Sequence, residues 1–307
     1  MPSATELLFA VGAGDRVVAV THECDHPRER VGGLPRVTSN ALPTEGASSR
    51  AIDTHIRSAR HAGSSIYNLD ADALMHLNPD LIVTQELCDV CAVAYETVER
   101  AVRLLPGEVP ILSLEPRTLE DIVATAGAVG EATGQLHEGM ALADSMHERI
   151  AAVAAMRPPE PRPRVLCIEW TDPVFIGGHW VPEMVRLAGA DDVLGIDGEP
   201  SVDVPWERVL EAQPEVLVLL PCGFTLERTL EVAAEVTSRP GFADLPCARS
   251  GRVIATDGSS YFNRPGPRIV DGLDILAAAV RAQPGEPLPA GAAWVANLRP
   301  ELKVDVS

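Results

Sequence analysis

The chain has 307 residues, 46% of them hydrophobic, with 25 basic against 44 acidic residues and a formal charge of −19. That length can bury a substantial core and suggests about two domains, while the acidic balance disfavours nucleic acid and anionic membrane surfaces as partners. No run of about 18 apolar residues appears, so no membrane span is expected.

Ser3, Glu6 and the apolar run Leu7 to Val11 read as a capping box opening a short helix, ended by Gly12 and Gly14. The β-branched run Val17 to Val20 predicts a buried strand entering the polar loop Thr21 to Pro27. Residues 28–52 are rich in Gly, Pro and Ser and carry no clear period. Short helices are expected over 53–61 and 70–77 and strands over 80–85 and 109–114, with an amphipathic helix between the strands through Ala94, Val98, Ala101, Val102 and Leu105. Thr118 and Asp121 supply a cap and its partner for a helix to about Thr133.

From Gln135 to Met156, the residues Leu136, Met140, Ala143, Met146, Ile150 and Val153 recur at helical spacing. One helix of roughly 33 Å is predicted. The prolines at 158, 159, 161 and 163 cannot continue it. Beyond them, apolar runs at 165–170, 216–220 and 253–256 alternate with helical segments near 182–188, 205–212, 226–236 and 268–282. Such alternation predicts an α/β fold of two lobes with parallel-rich sheets. The expected division is an N-terminal lobe over 1–134, a connecting helix over 135–157 and a C-terminal lobe over 158–307.

In parallel sheets, ligands bind beyond the carboxyl ends of the strands. The rare residues gather at those predicted exits: His22, Glu23, Cys24 and Asp25; Cys88 and Cys91; Glu169, Trp170, His179 and Trp180; Cys222; Tyr261, Phe262 and Asn263. Aromatic residues make up only 4% of the chain, so several at strand exits suggest flat apolar surface for a ligand. Phe262 reads equally well as core packing. Cys167, on a strand, and Cys247 are expected to be buried and inert. His55, His61, His76, His137 and His147 fall in polar helical patterns and are expected in solvent.

The motifs THECDHP at 21–27, LCDVCAV at 87–93, EWTDPVFIGGHWVPEM at 169–184 and YFNRPGPR at 261–268 resemble the cobalamin-binding, periplasmic-binding-protein-like family of ABC-transporter solute receptors. The resemblance covers nearly the whole chain. It implies a bilobed protein that holds a corrinoid or metal chelate in its cleft, with no chemistry of its own and no required cofactor. An ABC permease is the implied partner and a monomer the expected state. The ligand-contact set is then Ser3, His22, Glu23, Cys24, Asp25, Cys88, Cys91, Glu169, Trp170, His179, Trp180, Cys222, Tyr261 and Asn263.

Cys88 and Cys91 have the spacing of redox and zinc sites. Metal or cobalt ligation by His22, Cys24, Cys88 and Cys91, redox chemistry, and plain cleft-lining thiols are the readings for them. A closed zinc site would draw two further ligands from His22, Cys24 and Cys222. The second reading of the chain is therefore a cytosolic thiol- or metal-dependent enzyme, or a metal-binding protein, with bound zinc or iron. No Ser-His-Asp order, phosphate-binding glycine loop or HExxH is visible.

Met1 to Glu6 lacks the basic and apolar regions of a secretion signal, so the sequence as written is expected in the cytosol. Family members usually carry an export signal and a first strand ahead of this segment. A start assigned too far downstream is the expectation, with a periplasmic or cell-surface location following from it. Loss of a central strand would leave the ladder groups of its neighbours unpaired.

Overall fold

The computed structural model describes residues 1–41, 46–61, 66–85, 98, 101–103 and 105–296. Its contacts divide the chain into two units, residues 1–147 with 265–267, and residues 148–264 with 268–307. The division falls inside the long predicted helix, between His147 and Glu148. Cys88, Cys91 and most of the helix expected through Ala94 lie outside the described residues.

The first unit opens on helix α1, Pro2–Ala10. It begins ahead of the expected cap: Pro2 takes the first helical turn, where its missing N–H costs no hydrogen bond, and Ser3 lies buried within that turn. Strand β1 (Thr38–Asn40) pairs antiparallel with β2 (Tyr67–Leu69), and β3 (Ile82–Thr84) pairs parallel with β4 (Ile111–Ser113). Helix α2 spans Ser49–His61 and α3 spans Ala71–Leu77. Asp70 caps α3 by accepting from Ala73 N at 2.8 Å.

The strand expected over Val17 to Val20 does not form. Its one ladder contact is a parallel bridge from Val20 to Arg36, and Val18 is 45% exposed. A β-branched run becomes a strand only where a neighbour takes its backbone groups, and one side of this segment has no strand beside it among the described residues.

Helix α4 (Leu119–Ala132) carries the predicted capping box. Thr118 Oγ1 accepts from Asp121 N at 3.1 Å, and the Asp121 carboxylate accepts from Thr118 N at 3.0 Å. Helix α5 (Leu136–Ala154) follows after a tight turn. Gly130 and Gly139 allow that turn, since a Cβ on Gly139 would lie 2.5 Å from Ala126 O and one on Gly130 2.7 Å from Gln135 O. Ala143, Met146 and Val153 are buried as expected, whereas Leu136 and Met140, assigned to the same face, are 53% and 52% exposed.

In the second unit a six-stranded sheet runs in the order β10-β9-β8-β5-β6, with β7 also paired to β5. Its centre is parallel: β5 (Arg164–Trp170), β8 (Val216–Leu219) and β9 (Val253–Thr256). The short strands β6 (Phe175–Ile176) and β10 (Ala292–Trp294) are antiparallel additions that the alternation did not reveal. Strand β7 (Asp191–Asp192) adds two parallel residues at the start of β5. Every residue of β8 and β9 is buried, the pattern of strands covered on both faces. Cys167 and Cys247 lie in this core as expected, and burial pushes both thiols up, Cys247 to about 12. The last long helix, α6 (Ile269–Arg281), packs an almost continuous apolar face, and Arg281 Nη1 ties its end to Ala188 O at 2.7 Å.

Candidate functional site

The exits of the second unit's central strands carry one connected cluster. At the end of β5, the Trp170 and Phe224 rings meet at a tilt of 55° with centroids 5.2 Å apart, and the Arg228 guanidinium carbon lies 5.3 Å from the centroid of the Phe224 ring. Cys222 N donates to Glu169 O at 3.0 Å, which holds the loop after β8 against the end of β5. Ser259 N donates to Phe224 O at 3.1 Å and brings in the segment after β9. Trp170, Cys222, Tyr261 and Asn263 are half-buried.

Glu169 is the electrostatic centre of this rim. Its carboxylate accepts from Ser201 Oγ and from Gly178 N, the latter at 3.4 Å, and Asn263 also reaches it. Burial pushes its carboxyl up, against the three hydrogen bonds that favour the charged form. Gly178 makes this approach feasible, and Gly177 lets the start of the next helix pack close. A Cβ on Gly178 would collide with Ser201 N and lie 2.6 Å from Pro200 C, and one on Gly177 would lie 2.8 Å from Val181 Cγ1. His179 follows at φ +52°, held by its N donating to Glu199 O at 2.6 Å and its O accepting from Gly198 N at 2.8 Å. The GGH sequence is thus a backbone device that seats residues 199–201 on Glu169.

Trp180 departs from expectation. It is 6% exposed, and its Nε1 donates to Phe262 O at 2.9 Å. Phe262 is fully buried. Both rings belong to the core beneath the rim; Ser201 and Arg228 join the rim instead, and Phe224, 9% exposed, packs against Trp170. Phe224 follows Pro221, Cys222 and Gly223 at a strand exit, so its position was a readable signal.

In the first unit, the loop after Val20 is organised by Arg36, whose Nη1 donates to Thr21 O at 2.9 Å and Cys24 O at 2.5 Å. Cys24 is 1% exposed, with its Sγ 3.1 Å from both Thr5 Oγ1 and Thr21 Oγ1. The thiol anchors the loop from inside. His22 is half-buried; its Nδ1 lies 2.7 Å from Thr38 Oγ1 and its ring 5.3 Å from Tyr67. Its Nε2 is 3.3 Å from Glu23 Oε1 but has no hydrogen-bond partner. Glu23 and Asp25 are exposed, and Ser3 is buried. Thr38 and Tyr67, which complete this His22 environment, lie in segments whose sequence gave no functional signal. Among the described residues no three His, Cys, Asp or Glu side chains are grouped to hold a metal ion. Cys88 and Cys91 are outside that set.

A family model described as periplasmic binding protein matches residues 1–259. A vitamin B12-binding protein of Vibrio parahaemolyticus is 23% identical over 274 residues, covering 89% of this chain and 84% of its own length. An uncharacterized ABC transporter substrate-binding lipoprotein of Bacillus subtilis is 21% identical over 287 residues, covering 91% of this chain and 78% of its own. Among solved structures, the apo periplasmic heme-binding protein RhuT from Roseiflexus sp. RS-1 aligns with a TM-score of 0.65 and 27% identity, covering 91% of this chain and 95% of that one.

Proposed function

This chain belongs to the periplasmic binding protein family, and from that premise we propose that it is the solute receptor of an ABC transporter for a corrinoid or haem-like metal chelate. The observation that carries the ligand class is the tilted Trp170–Phe224 ring pair at the exits of β5 and β8, with Tyr261 and Cys222, on the segments after β9 and β8, also half-buried. A flat macrocycle gains most from such rigid apolar faces, and Glu169 with its partners fixes the loop around them. Relatives whose names state B12 or haem binding support the same class.

The family is one of solute-binding proteins rather than enzymes, and the reading as a thiol- or metal-dependent enzyme finds no support among the relatives. The expected cytosolic location finds none either, since the relatives are named as periplasmic or lipoprotein components. No helix among the described residues is long and apolar enough to cross a membrane. We place its work at the outer face of the cytoplasmic membrane, delivering ligand to a permease. His22 and Tyr67 of the first unit are the ligand-facing residues we assign there, and the metal stays with the chelate.

Isothermal titration with cobalamin, haem and a ferric siderophore tests the reading. Saturable binding of one of them at about one per chain is expected. Absence of binding to all three would overturn it.

A further inference from the structure

At the amino ends of the second unit's parallel strands, away from the rim, lies a cavity of about 260 Å³ lined by Pro159, Pro161, Pro163, Glu215, Arg252 and Val280 of α6. Pro163 leads into β5, Glu215 into β8 and Arg252 into β9. All of these residues belong to the second unit. The volume falls just below the usual range of small-molecule sites, about 300–1,000 Å³, and suits a small solute rather than a macrocycle.

Arg252 is held in place but only partly used. Its Nη2 donates to Ala279 O at 3.2 Å and to Val280 O at 2.7 Å, among the last carbonyls of α6, where a helix favours a cation. Its Nε is buried and has no hydrogen-bond partner among the described residues. Burial lowers the guanidinium's pKa and Glu215 opposes that shift, but an arginine keeps its charge at neutral pH. A buried donor without an acceptor costs stability, so this group gains from one. Glu215 does not supply it. Its Oε2 accepts from Arg164 N at 2.8 Å, and among the described residues it makes no salt bridge with Arg252. Arg281, beside Val280, is committed elsewhere, its Nη1 donating to Ala188 O at 2.7 Å and to Ala277 O at 2.8 Å.

Two fixed charges of opposite sign thus line one small space, together with three prolines, whose rings offer apolar surface and no N–H to compete for an acceptor. A lone anion would meet Glu215, and a lone cation would meet Arg252. We infer that this cavity binds a small zwitterion of the α-amino-acid class, with its carboxylate on Arg252 Nε, its ammonium on Glu215 and its apolar body against the prolines and Val280. The site lies at the opposite ends of the strands from the rim, so the inference holds whichever chelate the rim takes.

Isothermal titration of the full chain at neutral pH with L-alanine and L-valine tests it. At least one should bind saturably, with a Kd of about 1 mM or tighter. The matching controls each lack one charge: alaninamide and propanoate for alanine, valinamide and 3-methylbutanoate for valine. Each control should bind about 10-fold more weakly or worse, the loss expected when a hydrogen bond to a charged group is removed. Arg252→Met removes the guanidinium, and Glu215→Gln removes the charge while keeping an acceptor for Arg164 N. Both variants should weaken the amino acid about 10-fold or more, and Glu215→Gln carries the test alone if Arg252→Met fails to fold. Binding of neither amino acid, a control that binds as tightly as its parent amino acid, or unchanged affinity in Glu215→Gln would each overturn the site.

Discussion

Trp180 Nε1 donates to the carbonyl of Phe262 at 2.9 Å, joining two residues 82 positions apart in sequence. The bond lies below the strand-exit rim and is sealed from water, since Trp180 is 6% exposed and Phe262 fully buried. It ties the residue before α-helical segment 181–187 to the segment that follows β9. Trp180→Phe keeps most of the apolar volume and removes the donor, leaving a buried carbonyl unpaired. A loss of about 1–3 kcal/mol in unfolding free energy is expected by chemical denaturation, with the affinity of the folded protein for its ligand nearly unchanged.

Glu169 offers a test in pH. Its carboxyl is raised above the ordinary 4.5 by burial. A carboxyl raised on folding binds more protons in the folded state, so its contribution to stability is fully present below the unfolded value and fades as pH rises through the folded one. Glu169→Gln keeps an acceptor for Gly178 N and Ser201 Oγ but cannot ionise. The variant should therefore lose less stability than the parent as pH rises from 4.5, and thermal melts across that range measure the difference. Glu169→Ala leaves both donors unpaired and should cost about 1–3 kcal/mol throughout.

What the sequence discloses depends on whether a signal is local. The Thr118–Asp121 capping box was readable because its partners are three residues apart and answer each other. The buried runs of β8 and β9 were readable because a strand covered on both faces is continuously apolar. Val17–Val20 shows the opposite case: its composition says strand, but a strand is a relation between neighbours, and among the described residues its one ladder contact is the Val20–Arg36 bridge. Likewise the motif 169–184 marked a functional region without saying that Trp180 points into the core while Trp170 faces the rim. Leu136 and Met140 fit the helical period of Met146 and Val153, yet period alone does not say how far the covering surface extends along a helix.

The tilted Trp170–Phe224 pair makes a prediction about ligand. Trp170 is half-buried, so Trp170→Ala should spare the fold more than it spares binding. If the pair forms the macrocycle's seat, affinity for cobalamin or haem should fall by about 10-fold or more, the loss typical of an aromatic anchor. Titration of parent and variant with the ligand that binds the parent decides it. Equal affinities would remove the pair from the site.

Asp121 closes the comparison with the opposite sign. The hydrogen bond from Arg117 N, at 2.9 Å, holds its carboxyl below the ordinary 3.8, outweighing slight burial, and Thr118 adds to the effect. A carboxyl depressed on folding contributes stability above its unfolded value, and that contribution is lost as pH falls through the folded one. Asp121→Ala removes the charged half of the capping box of α4, at a cost of about 1 kcal/mol near pH 7. As the pH falls from 3.8 through the lowered folded value, parent and variant should converge, because only there does the parent's carboxyl become protonated in the folded state too. Denaturation midpoints measured at neutral and at acidic pH give the two differences, and a gap that persists unchanged in acid would assign the cost to helix packing instead of to the cap.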